Sequence, residues 1–62
     1  MFKKVDFNKY IGQEVTLKLL GSTTDLVGDL VEVKHNKVVI DDGTNLIHVA
    51  YLAILTVIFP VS

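Results

Sequence analysis

Apolar and polar positions alternate with a period of two through the first half of this chain. In "EVTLKLLG" (14–21), Val15, Leu17 and Leu19 fall on one side, and Glu14, Thr16 and Lys18 on the other. That is the signature of a strand with one buried face. "LVGDLVEVK" (26–34) reads as a second strand containing Gly28; a glycine there marks a bulge or sharp bend, the device that curls a short sheet. "KVVID" (37–41) is a third strand. Polar clusters separate the three: "GSTTD" (21–25) is a turn, and "HN" (35–36) is a tight connection in which Asn36 suits a positive φ.

The pattern changes in the second half. Between residues 46 and 59 only His48 and Thr56 are clearly polar. Such a run suits a spanning segment, a buried helix, or two strands covered on both faces. It is shorter than the roughly 17 residues a spanning helix needs, and the nearest preceding charges are acidic, Asp41 and Asp42. Ile47, Val49, Ile54, Thr56, Val57 and Ile58 are β-branched, which favours strand over helix. The reading is therefore a fourth strand at 46–50, a three-residue turn "YLA", and a fifth strand at 54–59 that Pro60 ends. "DDGTN" (41–45) supplies an Asp-Gly hairpin signal before strand four. Upstream, residues 5–12 read as a short helix with Asp6 able to cap it and Gly12 to stop it. It would lay Phe7, Tyr10 or Ile11 over an open end of the core. The expected class is all-β: one domain, residues 1–62, forming a strongly bent five-stranded SH3-like barrel over residues 14–60.

Composition sharpens the expectation about assembly. A chain of 62 residues without cysteine has no disulfide to staple so small a core. Two histidines and no thiol make a poor structural zinc site. Half of the residues are hydrophobic and 21% are charged. A domain this small has too little interior for that much apolar surface, so part of it should be covered by other copies. The net charge is −1, not the basic excess usual for binding a phosphate backbone. The first ten residues, "MFKKVDFNKY", lack the apolar core of a secretory signal. A cytoplasmic protein without cofactor is the expectation.

The order of helix, glycine, alternating strand, glycine-containing bent strand, short third strand, Asp-Gly turn and two apolar strands resembles the Sm-like superfamily, which includes Hfq and the Sm and LSm proteins. The stretches that carry it are "EVTLKLLGSTTDLVGDLVEVKHNKVVIDDG" and "LIHVAYLAILTVIFP". Gly12 to Val15, Gly28 to Val33 and the ending at Pro60 look closest to a family of short Sm-like proteins of spore-forming bacteria. The resemblance implies a closed homomeric ring of roughly five to seven subunits joined through strands four and five. It implies single-stranded RNA as a partner and no enzymatic activity. The alternative it leaves is a structural or adaptor oligomer that binds protein, associated with sporulation. The Tyr-Lys-His segment by which Hfq holds uridine-rich RNA is missing: Ala50, Tyr51 and Leu52 stand there. The Arg-Gly pair of Sm and LSm proteins is also missing, and of their Asp and Met-Asn loop signature only Asn36 remains.

Candidate residues follow from both readings. His35 and Asn36 sit at a loop that faces the pore in Sm-like rings, where they are nucleic-acid candidates or plain turn residues. Lys3, Lys4 and Lys9, interleaved with Phe2, Phe7 and Tyr10, are the best basic and aromatic cluster, or a solvated face with aromatics packed inward. His48, Val49, Tyr51, Leu55, Val57 and Phe59 are the expected subunit interface, with His48 a hydrogen-bonded interface histidine. Asp41 and Asp42 are adjacent on a strand, so they point apart and serve a turn better than a metal. Ser22, Thr23 and Thr24 have no base beside them in the sequence and read as turn. No catalytic constellation and no metal site is expected.

Overall fold

The computed structural model describes residues 7–60, in one antiparallel sheet of five strands: β1 Glu14–Leu19, β2 Leu26–Val33, β3 Lys37–Asp41, β4 Leu46–Ala50 and β5 Ile54–Ile58. Their order across the sheet is β4-β3-β2-β1-β5. The first strand thus lies between the second and the last, while β4 and β5 are free edges of an open sheet. The apolar run at 46–59 is two strands joined by a 3₁₀ turn, Tyr51–Ala53. Among the described residues no helix is long and apolar enough to cross a membrane.

Alternation governs the burial of β1 and β4, while β3 buries Val38, Val39 and Ile40 in succession. Val15 and Leu17 of β1 and Leu30 of β2 are fully buried, as are Val38 and Ile40 of β3, and the polar residues between them in β1 face out. Each of the larger side chains among them contributes about 1.5–3 kcal/mol by leaving water. The phase of β2 shifts near its end: Leu26, Gly28 and Leu30 face the core, and Val33 faces it again three residues on. The register slip between Leu30 and Glu32 accounts for this, because one extra residue resets which face comes next. A second slip lies between Lys18 and Leu19 on β1 and leaves Leu55 as the extra residue of β5.

Gly28 itself is not the bulge. It is the point of closest approach: a Cβ there would lie 2.5 Å from the Asp41 carbonyl oxygen and 2.7 Å from Ile40 Cγ2. Only a residue without a side chain lets β2 and β3 cross so tightly. The Cα envelope measures 25 × 24 × 22 Å, too deep for one flat layer of strands about 4.8 Å apart, so the sheet curls around its core.

In its described part, 7–12, the expected helix at 5–12 is a shorter and tighter turn than the sequence suggests. A 3₁₀ turn spans Phe7–Tyr10, and Asp6, the expected cap, lies outside the described residues. The turn is short because Gln13 N–H already donates to the Tyr10 carbonyl and Gly12 N–H to the Leu30 carbonyl (2.9 and 2.7 Å). Those bonds draw the chain into the sheet and end the turn after Tyr10. Phe7 is only 1% exposed and closes the core as expected, whereas Ile11 is exposed.

Candidate interaction surfaces

The β2–β3 hairpin ends in the sequence Lys34-His35-Asn36-Lys37. His35 and Asn36 are exposed at its tip, and Lys34 N–H closes it by donating to the Lys37 carbonyl at 2.8 Å. Asn36 does not take the positive φ expected of it, since no described non-glycine residue does. The slip in β2 and an external clamp shape this hairpin instead. The clamp is Tyr51, from the corner between β4 and β5. Its hydroxyl donates to the Lys34 carbonyl at 2.6 Å, and its backbone N–H donates to the Asn36 carbonyl at 3.2 Å. Burial pushes the Tyr51 phenol above its ordinary pKa, which keeps the hydroxyl a donor. Lys34 Nζ lies 3.6 Å from Glu32, both well exposed, an ion pair of little net strength.

Tyr51 belongs to a cluster that gathers both ends of the described chain. Its ring stacks on Phe7 (centroids 5.8 Å), Phe7 meets Phe59 edge-on (5.5 Å), and Phe59 stacks on Tyr10 (4.1 Å). Every described aromatic ring is in this cluster. Tyr51 and Phe59, expected at a subunit interface, are thus bound to the chain's own interior.

The other expected interface residues divide by face. Val49 is in the core and Val57 is half-buried against it. His48 points outward opposite Val39, and its side chain makes no hydrogen bond or ion pair among the described residues. Leu55 is 59% exposed. Three residues that the sequence reading passed over join Leu55 on the outside: Leu46 at 59%, Ile58 at 49% and Leu52 at 76%. β4 (LIHVA) and β5 (ILTVI) therefore present free backbone edges flanked by apolar side chains, without a single lysine, aspartate or glutamate. Charges, proline or bulges usually blunt such edges; here one bulge, at Leu55, does so. Strict alternation, with Leu46 and Ile58 out of phase with Val49 and Val57, is the signal that would have located those two; Leu52, in the turn, carries none.

Acidic groups hold the opposite end of the molecule. Asp42 Oδ1 accepts from Thr44 and Asn45 N–H (2.8 and 2.7 Å), and these bonds hold its pKa below the ordinary carboxylate value. Asp41 Oδ1 accepts from Gly43 N–H at 2.9 Å. Both carboxylates are engaged in building their own turn. On the outer face Glu14, Asp29 and Asp41 stand directly opposite one another on β1, β2 and β3, an arrangement of like charges that costs stability. Among the described residues no group of three or more potential ligands could hold a metal ion.

Of the basic candidates, Lys9 is exposed on the first 3₁₀ turn, and Lys3 and Lys4 lie outside the described residues. Ser22 Oγ bonds the Thr24 backbone at both its N–H and its carbonyl, which spans the β1–β2 turn. No family model, no curated protein and no solved structure matches the chain.

Proposed function

We propose that this chain is the subunit of a non-enzymatic, Sm-like ring: a barrel that curls its sheet around one core, pairs its β4 edge with the β5 edge of the next copy, and presents the 34–37 tips to single-stranded RNA. The observation that carries this reading is the pair of uncharged apolar edges at opposite ends of one curled sheet. Joining unlike edges is a heterologous contact, and it closes when the rotation per subunit divides the circle. Closure buries Leu46, Leu55 and Ile58 and removes the free edges that invite aggregation. A ring also multiplies the two lysines and the His35-Asn36 pair of each tip, which gives a subunit of net charge −1 a local cationic surface.

A second reading, an adaptor oligomer that binds protein, draws on the acidic row of Glu14, Asp29 and Asp41 and on the packing of the described Phe and Tyr rings against one another rather than on an open surface. Two measurements separate the readings. Mass in solution should give a single closed oligomer, and Ile58→Lys or Leu55→Lys should shift it to monomer; a wild-type monomer refutes the ring. Fluorescence anisotropy with short U-rich and A-rich oligonucleotides should then show binding that weakens steeply with salt. A ring that binds neither at about 50 mM salt, where phosphate contacts are strongest, leaves the adaptor.

A further inference from the structure

Tyr51 is where a residue could either touch a ligand or hold the loop that does, and its bonds distinguish the two. A tyrosine that serves by stacking on a base gains little from its hydroxyl, whereas one that holds a loop works through it. Here one face lies on Phe7, and the hydroxyl is held 2.6 Å from the Lys34 carbonyl. The backbone N–H of the same residue takes the Asn36 carbonyl. Two of the carbonyls of a four-residue tip are thus bonded to one residue of another corner. The tip also closes on itself, Lys34 N–H donating to the Lys37 carbonyl. Behind Tyr51 the ring contacts run to Phe7, Phe59 and Tyr10, so the tip is tied to the packed end of the core. Leu52, next in sequence, is 76% exposed and makes no such bond.

We infer that Tyr51 is a positioning residue for the 34–37 tip: its hydroxyl presets the loop for a ligand, and its ring does not contact that ligand. A preset loop loses less conformational freedom on binding, so the clamp raises affinity without adding a contact. The part of this inference that concerns a ligand rests on the RNA reading above; the part that concerns the loop does not.

Tyr51→Phe keeps the ring and removes only the hydroxyl, so it separates the roles. One hydrogen bond of ordinary net strength predicts amide exchange at residues 34–37 faster by about fivefold, with exchange in β1 changed far less. Oligonucleotide affinity should fall by a similar factor while the salt dependence keeps its slope, because the lysine contacts are the same. Leu52→Ala, at the same corner, should change neither. Tip exchange in Tyr51→Phe equal to wild type, or equally fast in Leu52→Ala, overturns the inference. Undiminished affinity in Tyr51→Phe together with loss in Tyr51→Leu makes Tyr51 a stacking residue and overturns it as well. A wild-type protein that binds no oligonucleotide refutes the RNA reading, and the exchange measurement still decides whether Tyr51 sets the tip.

Discussion

The two hairpins that flank β3 are held in opposite ways. At 41–45 the turn carries its own supports: Asp41 and Asp42 bond to amides two and three residues on, and Gly43 takes φ +99°. Asp42 N–H closes it on the Asn45 carbonyl at 3.1 Å. At 34–37 no left-handed residue appears, and Tyr51, seventeen positions away from Lys34, supplies the bonds. The first turn is a property of five consecutive residues. The second has its own Lys34–Lys37 closure, but its two further bonds form only once β4 has folded back, so part of its order depends on tertiary structure. A rigid local turn suits a structural corner, and a loop whose order can be altered from elsewhere suits a surface that meets a partner.

The largest effect should come from below the local turn. Gly28→Ala places a methyl against the Asp41 carbonyl, a backbone atom that cannot swing away, so β3 must shift at the root of the 41–45 hairpin. A loss of about 3 kcal/mol is expected, at the upper end for overpacking, read from chemical denaturation. A variant within 0.5 kcal/mol of wild type, on the scale of an innocuous surface change, would show that the strands do not approach as described. Tyr51→Ala comes next, at about 2 kcal/mol, from the lost half-buried ring and its stacking on Phe7. Its amide exchange should rise at 34–37 and stay unchanged at 42–45; equal rises would erase the distinction between the two turns. Gly43→Val should cost about 1–2 kcal/mol, the strain of a left-handed backbone at a β-branched residue, and should spare the tip.

The same contrast explains what was legible in the sequence. Strand positions could be read from alternation because a half-buried strand leaves its mark on every second residue. The 41–45 turn could be read because all its partners lie within three residues. Tyr51 carried no such mark: it stood in an apolar run, and its partners are set by how the sheet curls. The slip in β2 was equally invisible, since nothing in "LVEV" says which residue is extra; the glycine that drew attention, Gly28, serves close approach instead. The composition of the run at 46–59 predicts strands covered on both faces. The described chain itself covers only one, with Val49, Ile54 and Val57 inward and Leu46, Leu55 and Ile58 outward. A single chain's pattern marks the run as apolar, but the face that the chain leaves uncovered depends on the bulge and the strand order, which the pattern does not carry.

The smallest effects, those of pH, separate the turns most cleanly because they run in opposite directions. Asp42 is held below its ordinary pKa by the Asn45 and Thr44 amides. A carboxylate with a lowered folded pKa contributes stability above the unfolded value of about 3.9, and that contribution is lost as pH falls through the folded pKa. Tyr51 is raised by burial. A phenol with a raised folded pKa contributes below the unfolded value of about 10, and its contribution is lost as pH rises through the folded pKa. Acid below about pH 4 should therefore loosen the 42–45 amides and leave the tip ordered, while alkali above about pH 10 should loosen the tip and leave the Asp42 turn intact. Asp42→Asn should flatten the first dependence and Tyr51→Phe the second, each without touching the other. Local amide shifts read across pH report the two turns separately, where a global melting curve would mix them with every other carboxylate and lysine. If acid loosens both turns together in wild type and in Asp42→Asn alike, the two hairpins are not independently supported, and the clamp at Tyr51 loses its distinct role.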